Sequence, residues 1–354
     1  MNKDSFAFLE AMVKTPSVAG FEQPVARIIR KRMKPFADEI TTDLHGNTIV
    51  ALNPQGTPRI MLAGHCDQIG MMVKYISDEG FLSFATVGGI DLTVLPGSRV
   101  TIHTADGPVE GVIGRKPIHL MKQEERNSGK IELTDLWIDI GATSRKEAEK
   151  RVAVADPITC KLEIERLGGE FITSPALDDK VGAFVVMEAL RLLARRKIKP
   201  ALFAVATVQE EIGLRGARTS AYRIDPLVGI AVDVCHASDN PGVDKKLAGD
   251  QALGRGPVIE RGANINPVLC KLLIDSAKSK KIPYQLSASP NATGTDANPI
   301  QVSRGSVAAG LIGIPNRYMH TPVEVCHLAD LENAARLVAE TVARIGPRTN
   351  FTPQ

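Results

Sequence analysis

Glu210 and Glu211 end a strand-like apolar run, Ala201-Leu-Phe-Ala-Val-Ala-Thr-Val-Gln209, and two adjacent carboxylates are unusual there. Neighbouring side chains on an extended backbone point to opposite sides, so one acid can hold a metal while the other handles a proton. The rest of the chain supplies partners of matching type. His65 and Asp67 follow the apolar run Arg59-Ile-Met-Leu-Ala-Gly64, Asp178-Asp179 open a helical stretch, Asp233 lies in the run 227–234, and His320 follows the run 307–314. Imidazoles and carboxylates of this kind suit a pair of divalent ions. In a two-metal hydrolase one carboxylate is shared between ions about 3.5–4 Å apart. A carboxylate outside the ligand set can take a proton from water and deliver it to a leaving amine.

The elements that must carry these residues alternate. Helices are expected at 3–14 and 22–36, then a hairpin of Ile40 to Leu44 and Thr48 to Leu52 about the turn His45-Gly46-Asn47, then a buried strand at 59–64. From about 69 to 164 the character changes to short alternating strands, such as Phe81 to Thr86, Arg99 to His103, Val109 to Gly114 and Leu136 to Ile140, with one helical segment at 144–152. After Gly168-Gly169 the alternation resumes: helix 180–196, strand 201–208, helix 214–222, strand 227–234, helix 266–281, strand 307–314 and a last helix at 328–345. Strands separated by crossover helices predict an α/β fold with a mostly parallel sheet flanked by helices on both faces. The expected division is a discontinuous α/β domain, 1–68 with 165–354, and an inserted β-rich domain, 69–164. Ligands of such sheets bind beyond the carboxyl ends of the strands, where all these acids and imidazoles fall.

Composition narrows the class. The 354 residues are 44% hydrophobic and 23% charged with a net charge of +3, which describes a globular protein of more than one domain. Basic clusters such as Arg195-Arg196-Lys197 sit at predicted helix ends, where the dipole favours cations, and four Tyr with one Trp offer little for base stacking. Nucleic acid is therefore not an expected partner. No apolar run approaches the roughly 18 residues that cross a bilayer. The five scattered cysteines lack metal-type spacing and fit a reduced, cytoplasmic location, with no expected leader or membrane contact.

The motifs Ala63-Gly-His-Cys-Asp-Gln-Ile-Gly70, Ala176-Leu-Asp-Asp-Lys-Val-Gly182, Val208-Gln-Glu-Glu-Ile-Gly-Leu-Arg-Gly-Ala217, Ala231-Val-Asp-Val234 and Tyr318-Met-His-Thr-Pro-Val-Glu324 resemble the M42 aminopeptidases, which include glutamyl aminopeptidases and the tetrahedral TET peptidases. The resemblance runs over essentially the whole chain. It implies a zinc-peptidase-like catalytic domain with two divalent ions, zinc or cobalt, that removes N-terminal residues from peptides. His65, Asp178 and Asp233 would hold one ion, and Glu211 and His320 would complete the other, with Asp178 shared. Glu210 would be the general base and acid. Asp67 would hydrogen-bond His65 from behind, and the Asp178–Asp179 peptide would be cis. Self-assembly is implied too, through dimers mediated by the inserted domain that build a hollow dodecamer. One departure is the loop Asn291-Ala-Thr-Gly-Thr-Asp296, where Thr293-Gly294 stand in place of the glycine pair of many members.

Other readings keep some of these residues. A carboxypeptidase or N-acyl deacylase would keep the metals. A glycosidase needs two carboxylates about 5–9.5 Å apart across a bond and would leave the histidines without a role. A non-catalytic binding protein would leave the base position without purpose. His236 and Asp239 are read as pocket residues or as supports behind the ligands, His45, His103, His119 and His327 as parts of turns, the inserted domain and the last helix, and Cys66, Cys235 and Cys326 as small buried hydrophobes.

Overall fold

The computed structural model describes residues 1–127 and 129–354. The helices Lys3–Val13 and Gln23–Met33 lead into β1 (Glu39–Thr42), β2 (Thr48–Leu52) and β3 (Arg59–His65). Six strands follow, β4 (Gly70–Ile76), β5 (Leu82–Val87), β6 (Arg99–Thr104), β7 (Gly107–Arg115), β8 (Leu136–Asp139) and β9 (Pro157–Cys160), and they close into a barrel of order β4-β5-β8-β7-β6-β9. Alternate residues fill it: Val100 and Ile102 of β6 meet Met71, Val73, Leu82, Phe84, Ile138 and Ile158 in one core cluster. The helix expected at 144–152 spans only Arg145–Ala148. Residues 149–151 continue as a turn, and Ala155 at φ 76° redirects the chain into β9.

The chain returns through β10 (Glu165–Gly168), β11 (Phe171–Ser174) and the helix Leu177–Leu193, then β12 (Ala201–Thr207), β13 (Val228–His236), β14 (Val258–Gly262), β15 (Gln285–Ser289), β16 (Ala308–Asn316) and β17 (Glu324–His327), ending in the helix Leu328–Val342. The main sheet has the order β1-β2-β12-β3-β13-β16-β14-β15. Its pairings are mixed and more often parallel than antiparallel, in keeping with the expectation, with β15 also running parallel to β14. The central run β12-β3-β13-β16 is parallel, while β1 and β2 form an antiparallel hairpin, β2 runs antiparallel to β12, and β14 antiparallel to β16. A short turn permits only an antiparallel pair at one flank, whereas the centre is joined by crossover helices. Helices cover both faces. Ile60 and Leu62 of β3 belong to the large cluster with Val181, Phe184, Leu331 and Leu337, whereas Met61 and Ala63 pack with Ala217, Ala221 and Ile300. No helix among the described residues is long and apolar enough to cross a membrane.

Candidate metal centre

Register alone brings the first residues together. Thr207 of β12 stands opposite His65, and Ala231 of β13 opposite Ala63, so Asp233 emerges beside His65 on the same face. Asp178 and Asp179, joined by a cis peptide, open the helix that packs beneath β3. That helix approaches closely because Gly64 meets Gly182. A Cβ on Gly64 would lie 2.4 Å from the Gly182 carbonyl carbon, and one on Gly182 would lie 2.2 Å from an Asp179 oxygen. Glu210 and Glu211 follow β12, and His320 leaves β16 at φ 62°.

Asp178 is the centre of the arrangement. Its Oδ1 lies 3.2 Å from His65 Nε2 and its Oδ2 lies 3.2 Å from His320 Nε2. Asp233 Oδ1 is 3.8 Å from His65 Nε2, and Glu211 Oε2 is 3.5 Å from His320 Nε2. The ligand atoms of His65, Asp178 and Asp233 fall within 4.8 Å of one another, as do those of Asp178, Glu211 and His320. Each group is an imidazole with two carboxylates, a donor set suited to a zinc-like dication, and the two share Asp178. Glu211 Oε1 is buried with no hydrogen-bond partner among the described residues, as expected of an oxygen kept for an ion. Glu210 lies outside both groups, its Oε2 3.8 Å from His65 Nε2.

Behind these side chains, three fully buried carboxylates hold the backbone that carries them. Asp67 accepts the N–H of Glu210 at 3.0 Å and of Glu211 at 3.2 Å. Asp179 accepts the N–H of His65 at 3.2 Å and of Gly182 at 3.0 Å. Glu324 accepts the N–H of Asp178 and of His320, each at 2.9 Å. The expected support of His65 by Asp67 therefore takes a different form: the Asp67 backbone oxygen receives Nδ1 at 3.1 Å, while the carboxylate stands 3.6 Å away and serves the two glutamates. His320 Nδ1 is paired with the carbonyl of Gly89, in the loop after β5 of the barrel, at 2.7 Å. Such partners fix the tautomer and aim of a ligating histidine. Glu324 and Gly89 were not assigned roles from sequence. Glu324 closes a motif already singled out, but nothing local signals a backbone carbonyl.

The charges are strongly perturbed. Burial pushes Glu210 up to about 10 and, helped by Asp178, pushes Glu211 up to about 7. Burial also raises Asp233. For Asp178 burial acts upward too, but hydrogen bonds from His320 and His65 outweigh it and hold it below the usual carboxylate range. His320 rises to about 9, chiefly through its bond with Asp178. Buried acids crowded together in this way favour a compensating cation among them.

The centre opens into a cleft of about 620 Å³ lined by both histidines, Glu210, Glu211, Val234, Cys235, His236, Gln251, Glu260, Gly294 and Met319. His236 is thus a pocket residue as expected, whereas Asp239 does not line the cleft and is bound in a bidentate pair with Arg317 at 2.8 and 2.6 Å. Gly294 lines the cleft with open space around it, and Asp296 beyond it accepts a hydrogen bond from Thr207 at 2.5 Å. His45 meets Gln209, His103 meets Thr159, and His327 caps the last helix. Burial raises the thiols of Cys66, Cys235 and Cys326, which makes them poor nucleophiles.

Residues 46–337 match the family model described as M42 glutamyl aminopeptidase. The lysyl aminopeptidase of Pyrococcus furiosus is 36% identical over 349 residues, covering 98% of each chain. The crystal structure of a TET aminopeptidase from a marine sediment Thaumarchaeota archaeon superposes with a TM-score of 0.92 at 38% identity, over 97% of this chain and 96% of that one. The Pyrococcus horikoshii TET1 peptidase, which can assemble into a tetrahedron or a large octahedral shell, superposes at 0.86 with 33% identity, over 96% and 100%.

Proposed function

This chain belongs to the M42 peptidase family and is an aminopeptidase, a peptide hydrolase; we propose that it works with two divalent ions, zinc or cobalt, and with Glu210 as its proton shuttle. His65, Asp178 and Asp233 would hold one ion, and Asp178, Glu211 and His320 the other. The observation that carries this reading is the pair of 3.2 Å approaches by which one Asp178 oxygen faces each imidazole.

When bound, the ions supply Lewis acidity at the scissile carbonyl and acidify water. The chain does the rest. Glu210, outside both ligand groups and beside His65, takes the proton from the attacking water and returns it to the departing amine. Asp67 keeps Glu210 and Glu211 in place by their backbone N–H groups, so the shuttle and a ligand share one anchor. Asp179 and Glu324 do the same for His65, Asp178 and His320. The walls of the cleft hold the peptide and limit water.

Substrates on this reading are peptides with a free N-terminus. The family description names glutamate and the Pyrococcus furiosus relative lysine, so names alone leave the first residue open. Residues 69–164 are proposed as an inserted β-rich domain, distinct from the catalytic residues 1–68 and 165–354, through which dimers form and dimers build a dodecamer. The shells formed by the Pyrococcus horikoshii peptidase support assembly, and the exposed Val112, Ile118 and Leu120 offer apolar area on the barrel side. A cytoplasmic location is in keeping with five free cysteines. Metal analysis tests the centre: the protein should take up two equivalents, and His320→Ala should retain one. A wild-type protein saturating at one equivalent, or activity that survives full chelation, would sink it.

A further inference from the structure

We infer that this cleft selects a basic first residue, lysine or arginine, and that Glu260 with Gln251 reads it; the inference rests on the aminopeptidase reading and adds the substrate class. Glu260 lines the cleft yet belongs to neither metal group. Register fixes its position. Gly313 of β16 stands between Asp233 of β13 and Val258 of β14. Two residues on from Val258, Glu260 therefore emerges on the same face as Asp233 and Cys235. Because β14 runs antiparallel to β16, Glu260 falls level with Leu311 and so with Ala231. Two strand spacings and two residues of rise put its backbone about 12 Å from that of Asp233, a gap that the side chain of Glu260 and a long substrate side chain can span together. Gly313 has no side chain to fill the gap between them.

The lining along that path suits an alkyl stem with a cationic head. Val234, Cys235 and Met319 provide apolar wall, Ser287 stands opposite Glu260 in the β14–β15 register, and Gln251 lines the same cleft. Glu260 is 6% exposed, and its Oε2 accepts one hydrogen bond, from Ser289 Oγ at 2.7 Å. Among the described residues no Lys or Arg forms an ion pair with it, and none lines the cleft. Arg261, next in sequence, lies on the opposite face beside Pro267 and Cys270. A carboxylate this buried without a cation is costly unless a ligand provides one. Gln251 points the same way independently: it is 3% exposed, lines the cleft, and its Oε1 is buried without a hydrogen-bond partner. An acidic first residue would meet Glu260 with like charge and find no arginine or lysine to receive it.

The test compares lysyl, arginyl, leucyl and glutamyl p-nitroanilides on the metal-loaded protein and on Glu260→Gln, beside calorimetric titration of both with lysinamide. Wild type should favour lysyl and arginyl over leucyl by tenfold or more in kcat/KM, with glutamyl last. Glu260→Gln should cut the lysyl-to-leucyl ratio by roughly 10- to 100-fold, the value of one hydrogen bond to a charged group. A wild-type preference for leucyl or glutamyl substrates, or a ratio that Glu260→Gln leaves in place, overturns the inference while the aminopeptidase reading stands. If wild type cleaves none of the four, the aminopeptidase reading falls, and lysinamide binding that Glu260→Gln abolishes still supports the pocket. Absence of lysinamide binding to wild type overturns it.

Discussion

Asp67→Asn tests the idea that buried carboxylates hold the working groups by their backbone. Asp67 is fully buried, with one oxygen on the Glu210 N–H and the other on the Glu211 N–H. Asparagine keeps the shape but offers one oxygen and one NH2, so one backbone donor must face another donor. The loss is a charge-assisted hydrogen bond plus an unsatisfied buried N–H, about 2–4 kcal/mol. An opposing effect is relief of repulsion, but Asp67 is a minor contributor to the upward shift of Glu211, well behind burial and Asp178. The hydrogen-bond loss therefore wins. If the energy appears as misplacement of Glu210 and Glu211, kcat falls by roughly 30- to 1000-fold with little change in KM. The assay is steady-state hydrolysis of a free-amine substrate, with metal content measured on the same samples and a thermal melt expected to fall by several degrees. Asp67→Asn with kcat within twofold of wild type and an unchanged melt would refute the anchoring role.

Other consequences follow from the same geometry. Glu210→Gln should lower kcat by about 1000-fold or more while metal analysis still finds two equivalents, because Glu210 lies outside both ligand groups; near-normal turnover would remove it as the proton shuttle. Gly182→Ala places a Cβ 2.2 Å from an Asp179 oxygen and 2.5 Å from the Val232 carbonyl, so the variant should lose about 2 kcal/mol or more, read by chemical denaturation. In chelated protein, burial raises Glu22 and Glu211 to about 7 and Glu324 to about 8. Acids raised in the fold stabilise it below their ordinary range and lose that contribution as pH rises through the folded value. Lys180, brought down to about 7 by burial, opposes this only from pH 7 upward. His103, brought down to about 4 by burial, opposes it between about pH 4 and 6.5 as one group against three. The denaturation midpoint should therefore drop between pH 5 and pH 7, and a midpoint that holds or rises would contradict these shifts.

The parts of the site that were legible in the sequence are those written as residue types at strand ends. His65, Asp178, Glu210, Glu211, Asp233 and His320 meet around one centre because the parallel strands β12, β3, β13 and β16 all end on one side. What was not legible is non-local. Asp67 bonds to residues 143 and 144 positions away, and Glu324 to Asp178 across 146, so no spacing rule announces them. The same holds for β14 and β15, whose short polar runs, Val258–Gly262 and Gln285–Ser289, acquire strand character only by pairing with β16 and with each other. Glu260 was overlooked for that reason: outside a recognised strand its face cannot be assigned.

The most direct test is hydrolysis of aminoacyl-p-nitroanilides by the purified protein before chelation, after it, and with zinc or cobalt restored, beside the same peptides N-acetylated. Release from free but not acetylated N-termini, lost on chelation and regained with the metal, is the expected result. Equal release from blocked substrates, or release that chelation leaves untouched, would contradict the account and return the site to a deacylase, a carboxypeptidase or a metal-independent hydrolase.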